Sequence, residues 1–459
     1  MTTRAIHLLT RASGVSRDRL DRILVIGLPI IGGMVSQSVI NLIDALLVGR
    51  ISGTALAAVG IGSYASFIIV SMMMGLSAAV QAIVSRHFGA KRYQQMTEPM
   101  LAGLFLTIVV GIPFTLLFIG ISPSYLGLFT RDQAVLDIAI PYFDWRTAAL
   151  AFVGMGFVFR GFWSGIGESK IYLKILLFMH ATNAIVSYFL MFGLSEFLGP
   201  NTWQGLGTVG SGIGTAVATT LAAVVFFWVT FFHHTERFSL SLPTKSTLLQ
   251  LSRLALPNSI QQTLFALGTG CLFLIIGMIG TKEQAIGHIL TQLQLLLILP
   301  AVGLGIAGAS LVGQALGQEH KENAYRWGID VARVAIIILG LLGLPMWIAP
   351  EWVLRIFTAD KELIALGAWP LRIIGLNIVL EVAAITLTQA LLGAGASRKV
   401  LKINLLMQWG VFLPLAYLIG PVLGYGLTGI WLLQALQRIT LSAIYGFIWR
   451  ARHWAHISV

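Results

Sequence analysis

The sequence predicts an all-α polytopic membrane protein of twelve spanning helices, built as two pseudo-symmetric bundles of six. Three observations carry that expectation. Apolar runs of spanning length recur along the whole chain, basic residues gather in every second loop, and the two halves match at one fixed offset.

The apolar runs follow from composition. Of 459 residues, 57% are hydrophobic and only 10% are charged, whereas a soluble domain has roughly a quarter of its residues charged. The polar cover of a water-soluble surface is missing, so lipid must solvate most of the exterior. Charged residues and Gly/Pro clusters divide the chain into runs of about 20 residues or more, enough to cross the hydrocarbon core. The predicted spans are 24–49, 55–84, 98–122, 134–163, 171–194, 207–232, 250–279, 284–313, 328–350, 363–392, 400–422 and 427–449. They are helices because hydrocarbon offers backbone N–H and C=O groups no other partner. The first begins just after Arg22 and is far longer than a signal-peptide core, so it is a span.

Orientation follows from Lys and Arg. About twenty of the thirty fall on one side, among them Arg17, Arg19, Arg86, Lys91, Lys170, Lys174, Lys321, Arg398 and Arg450. The other side has only Arg50, Arg131, Lys282, Arg355 and Lys361. Basic loops are retained in the cytoplasm, which places both termini there. The net charge of +12 is therefore a loop bias facing anionic lipid, and no nucleic-acid partner is expected. The single cysteine, Cys271, lies inside a span, so neither an intramolecular disulfide nor a Cys-based metal site is expected.

The halves match at an offset of 228 residues. Leu28-Pro29 falls on Leu256-Pro257, Gly49 on Gly277, and Val84 and Gly89 on Val312 and Gly317. Gly165-Ile166-Gly167 with Lys174 falls on Gly393-Ala394-Gly395 with Lys402. Six spans per half is an even number, so both halves enter the membrane alike and a binding space is expected between them. This gives an N-terminal lobe over 1–236, a polar cytoplasmic linker over 237–249 and a C-terminal lobe over 250–459.

An ionised group at bilayer depth costs on the order of 3 kcal/mol or more, so one that is present usually faces protein or water. Gln37, Asn41 and Asp44 line one face of the first helix, among apolar Ile40, Ile43, Leu46 and Leu47. They read as a protonatable carboxylate with two amide partners in an internal cavity. The bland alternative is that Asp44 marks the outer interface near Arg50. Glu381 lies mid-span in the tenth helix with Asn377 one turn before it; its alternative is a buried, hydrogen-bonded structural acid. His180, Asn183 and Ser187 share a face of the fifth helix and could equally be interhelical glue. Gln261 and Gln262 follow Pro257 in the seventh, which has no acid. Arg146 and Arg372 sit near the outer ends of the fourth and tenth spans, where snorkelling is expected.

The passage from Asp44 through Leu47-Val48-Gly49 to Ala55-Leu56-Ala57-Ala58-Val59 resembles the first-helix signature of multidrug and toxic compound extrusion (MATE) transporters. So do Gly75-Leu76-Ser77 with Gly89-Ala90, and Val312-Gly313-Gln314 with Gly317. The resemblance covers nearly the whole chain. It implies two six-helix lobes in a V that rock between inward-open and outward-open states. It also implies a secondary active antiporter exporting organic, often cationic, compounds in exchange for protons or sodium. Asp44 and Glu381 match acidic positions of the family, and Pro29 matches its first-helix proline, so Pro29 and its repeat partner Pro257 are the expected hinges. Where many members carry an aspartate, this chain has Ser187, and the acid of the seventh helix is absent too. Sodium, which wants several charged or polar oxygens around one point, thus has a depleted site, and protons are the favoured coupling ion.

Ion coupling is expected at Asp44 and Glu381, and the substrate pathway at Gln37, Asn41, His180, Asn183, Ser187, Gln261, Gln262 and Asn377. No cofactor, metal or enzymatic activity is expected, since HExxH, P-loop and GxSxG motifs are all missing. The expected setting is a bacterial inner membrane, as a monomer whose partners are small organic substrates, the coupling ion and lipid. A lipid-linked precursor flippase of the same superfamily is the alternative. A channel or receptor fits the duplicated architecture less well.

Overall fold

The computed structural model describes residues 9–193, 203–233 and 242–457. These residues contain twelve long helices. In the first half these are α1 (Arg17–Gly49), α2 (Gly53–Gly89), α3 (Thr97–Gly120), α4 (Gln133–Ala148 continued by Leu150–Gly165), α5 (Ser169–Phe192) and α6 (Thr208–Trp228). In the second half they are α7 (Lys245–Gly277), α8 (Thr281–Gly317), α9 (Lys321–Ile348), α10 (Lys361–Gly393), α11 (the span Ser397–Val422) and α12 (Gly426–Ala451). Ten of the twelve are each long and apolar enough to cross a bilayer, and α4 adds an eleventh when its two parts are taken as one bent span. α12 is long enough at 26 residues, but Gln434, Gln437 and Arg438 lower its hydropathy.

Every predicted span is present, and the differences are local. The basic-face ends of α1, α7 and α9 begin up to seven residues earlier than apolarity alone suggests, because polar first turns continue into the headgroup region. Residues 245–249, expected as linker, form the first turn of α7, where the Thr244 side chain accepts from the Thr247 amide. The rest of that linker lies largely outside the described residues. α4 bends by 48° between its two parts, and Thr115 Oγ1 donates to the Thr147 carbonyl at the bend. α11 widens into π turns at Leu406–Phe412 and Leu418–Val422. Pro414, just after the first of these turns, and Pro421, within the second, lack the N–H a regular helix needs.

The repeat is structural as well as sequential. Asp132 caps α4 and Asp360 caps α10, each with its own amide held by a threonine two residues back, Thr130 and Thr358. Short helices at Ser122–Leu126 and Pro350–Arg355 precede these caps at the same offset. Left-handed backbone recurs at Lys91 and Glu319 (φ 59 and 63°) and at Gly167 and Gly395 (φ 85 and 84°). All these pairs stand 228 residues apart.

Two large apolar cores hold the bundles, with a small third cluster at Val48, Ala55, Val59, Tyr142 and Met191. The larger is the C-terminal one, yet it includes Leu20, Ile23, Leu24, Ile26 and Ile30 from the basic-face half of α1. The N-terminal core reciprocally takes Leu251 and Ala255 from the basic-face half of α7. Each lobe's first helix therefore leans its first half on the other lobe. Pro29 lies near the end of that packing on α1, whereas on α7 contact with α2 runs past Pro257 to Ser259, Thr263 and Ala266.

Candidate translocation site

The lobes close against each other on the basic face. α2 and α8 cross there in a reciprocal contact. A Cβ on Gly89 would meet the Gln314 carbonyl oxygen at 2.0 Å, and one on Gly317 would meet the Arg86 carbonyl oxygen at 2.1 Å. Glycine is required at both positions because backbone meets backbone. Around the crossing, Gln81 Nε2 donates to the Ile306 carbonyl (2.7 Å) and to Ser310 Oγ (2.8 Å). Gln314 Nε2 donates to the Gly165 carbonyl (2.9 Å), and Arg86 donates to the carbonyls of Ala394 (3.0 Å) and Ile457 (2.8 Å). Arg19 of α1 pairs with Asp330 of α9 and lies 3.7 Å over the Trp327 ring.

Toward the other face the two flanks differ. On the α2–α7 flank the lobes stay joined as far as Tyr64, whose hydroxyl donates to the Ala266 carbonyl (2.8 Å). On the α1–α8 flank, contact reaches Ile31 and Gly303. Beyond that level no hydrogen bond among the described residues joins α1 to α8. There Gln37 and Asn41 are exposed.

In the N-terminal lobe the predicted residues form two short hydrogen-bonded groups, with Asp44 bonded to neither. Gln37 Nε2 donates to Asn41 Oδ1 (3.1 Å), and its Oε1 contacts His180 Nε2 (3.2 Å). Ser187 Oγ donates to Asn183 Oδ1 (3.2 Å), and Asn183 Nδ2 donates to Thr215 Oγ1 of α6 (3.1 Å). Asp44 completes this face of α1. It is only 8% exposed, and its Oδ1 is buried without a hydrogen-bond partner. An acceptor left unmatched at such depth is ready for a proton or a donor. Among the described residues no ion pair joins Arg146 to Asp44. Arg146 does not snorkel: it donates to the buried Tyr142 hydroxyl (2.8 Å), which also bonds Ser63 (2.9 Å).

The C-terminal lobe is less united. Glu381 is buried, and its Oε1 lies 3.3 Å from Nε of Arg438 on α12. Asn377 Oδ1 and Gln261 Oε1 are buried without partners, as are both polar atoms of Asn258. Gln262 turns the other way and meets Met74 Sδ across the lobe boundary (3.8 Å). The sequence reading missed Arg438 and Arg160. Arg160 is partly buried on α4, where its Nε donates to Ser77 Oγ (2.9 Å) and its guanidinium lies 5.0 Å from the Phe157 ring centroid. A charged residue inside an otherwise apolar span was the available signal in both cases.

The MatE family model matches residues 29–189 and again residues 257–418. The chain belongs to the MatE family. The two matches begin at Pro29 and Pro257, the same 228-residue spacing that the sequence repeat and the duplicated caps display. Among MATE relatives, a probable multidrug resistance protein NorM from Synechococcus sp. is 26% identical over 92% of this chain and 91% of its own length. Another probable multidrug resistance protein NorM, from Thermotoga maritima, is 23% identical over 92% and 91%. Among solved structures, an outward-facing multidrug resistance MATE transporter of the MOP superfamily superposes with a TM-score of 0.83 at 21% identity, covering 98% of each chain. A MOP superfamily transporter from Pyrococcus furiosus gives a TM-score of 0.86 at 20% identity, again covering 98% of each chain. These likenesses are to multidrug resistance proteins and MATE-fold transporters, and none is to a lipid-precursor flippase.

Proposed function

We propose that this MATE transporter is a secondary active antiporter. It exports organic, often cationic, compounds from a bacterial cytoplasm in exchange for protons, by alternating access of two lobes. The observation that carries this reading is Asp44. It is one buried carboxylate with an unpartnered oxygen, beside exposed Gln37 and Asn41, on the flank where the lobes part. A proton and a cationic substrate compete for such a group, and competition is what an antiporter needs: binding one ion ejects the other. Pro29 and Pro257 serve as hinges, since each is a proline inside the first helix of its lobe, where it removes one backbone hydrogen bond. His180, Asn183 and Ser187 form the neutral wall of the pathway. The chain works as a monomer in the inner membrane with both termini cytoplasmic, its second lobe beginning with α7 at Lys245.

Sodium is the second reading, and specific atoms favour it. Glu381 lies in a lobe where Asn258, Gln261 and Asn377 all carry buried, unpartnered oxygens. Against it, Arg438 already stands beside the Glu381 carboxylate. We assign the primary coupling role to Asp44 and a secondary one to Glu381. Asp44→Asn tests the assignment. Gradient-driven efflux is expected to vanish while membrane insertion and thermal unfolding stay normal. Wild-type efflux in that variant would remove Asp44 from the mechanism.

A further inference from the structure

We infer that Arg438 is a specificity-determining residue. It offers a positive anchor in the C-terminal lobe that takes the carboxylate, or a similar acidic group, of an amphoteric organic substrate. The inference rests on the efflux reading above and narrows its substrate class.

The Glu381–Arg438 pair is lopsided. The carboxyl side chain is 3% exposed and the guanidinium side chain 24% exposed. Glu381 therefore lies behind Arg438, and positive charge is what the pair presents to an incoming molecule. That accessible surface does not face lipid. Leu432, Leu436 and Phe447 are exposed and form the outward stripe of α12, and helical spacing puts Arg438 on the opposite side, beside buried Gln437 and Leu441. The guanidinium is also under-used. Nε and Glu381 Oε1 are close enough for ion pairing, yet both are buried without a hydrogen-bond partner. No hydrogen bond to Arg438 is formed within the described residues.

An arginine with five donors in a planar fork matches a carboxylate or phosphate with two parallel bonds. Held by one buried acid from behind, it keeps its far edge for such a group. The N-terminal lobe presents the reverse polarity through Asp44. With Asp44 in one lobe and Arg438 in the other, a molecule bound between the lobes is selected for carrying both a cationic and an acidic group. The guanidinium also repels a purely cationic molecule from the C-terminal wall.

The test uses the full chain in proteoliposomes and in detergent, with two probes. One is a cationic xanthene dye bearing a free carboxylate, and the other is the same dye as its ethyl ester. Binding is read by fluorescence polarisation and transport by dye movement under an imposed gradient. Arg438→Gln is expected to raise the ratio of the acid dye's KM and Kd to those of the ester at least tenfold. Arg438→Lys should restore part of that ratio, because charge returns without the fork. If Arg438→Gln fails to fold because Glu381 is left unpaired, the Glu381→Gln/Arg438→Gln double variant, which removes both charges, should show the same change of ratio. An unchanged ratio in the folded variant, or equal losses for both dyes, overturns the inference while leaving the efflux reading intact. Binding of both dyes with transport of neither would instead overturn the efflux reading.

Discussion

Adding one methyl group at the α2–α8 crossing should open the protein on its basic face. In Gly89→Ala the new carbon would sit 2.0 Å from the Gln314 carbonyl oxygen, and in Gly317→Ala it would sit 2.1 Å from that of Arg86. Ordinary contact begins near 3.4 Å, so the helices must part by about 1.4 Å, and a close-packed interface cannot absorb that shift elsewhere. Parting strains the bonds from Arg86 to the Ala394 and Ile457 carbonyls and from Gln314 to the Gly165 carbonyl. At roughly 1–3 kcal/mol each, these three bonds amount to about 3–9 kcal/mol of support for the closed arrangement. Losing even 3 kcal/mol shifts the population at least a hundredfold. The assay places a cysteine at Ser310, which is fully buried in the seal, in a background where Cys271 is serine. Labelling by an impermeant thiol reagent in inside-out vesicles is then followed. Both alanine variants should accelerate labelling about a hundredfold or more, and by similar factors, because the contact is reciprocal. No acceleration, or acceleration from the opposite face only, would refute the assignment of this crossing as the seal.

Two further predictions concern topology and the C-terminal lobe. Cysteines introduced at exposed Ser52 should react with an impermeant reagent in intact cells, whereas those at exposed Ser246 and Lys399 should react only after permeabilisation; the reverse pattern would invert the orientation. Arg438→Gln should lower the thermal unfolding midpoint more than Glu381→Gln/Arg438→Gln does, since breaking a buried pair from one side costs about 3–5 kcal/mol and removing both charges costs less. Equal midpoints would mean that the 3.3 Å approach contributes nothing to stability.

The fold was legible because its causes are one-dimensional. Span length, loop charge and the 228-residue offset can all be counted along a line, and the duplicated caps at Asp132 and Asp360 repeat what Leu28-Pro29 and Leu256-Pro257 already suggested. The N-terminal groups were legible in part, because Gln37, Asn41 and Asp44 share a helix face and so do His180, Asn183 and Ser187. Thr215 was not, because only the close approach of α5 and α6 brings it to Asn183. The same reason hid Arg438: its meaning depends on a partner 57 positions away on another helix. The reading of Arg146 as a snorkelling residue gave way because Tyr142 offers its hydroxyl one turn earlier on the same helix. The crossed packing of α1 and α7 was also invisible, since apolar residues at Leu20 to Ile30 fit either lobe's core equally well by composition.

The central claim is that an inward proton flux through Asp44 drives organic compounds outward. Its most direct test is ion movement in sodium-free vesicles containing the purified chain. Adding a transported organic cation to proton-loaded vesicles should alkalinise the loaded side, and Asp44→Asn should abolish the signal. Transport that stays silent without sodium, and resumes when sodium is added, would contradict the claim.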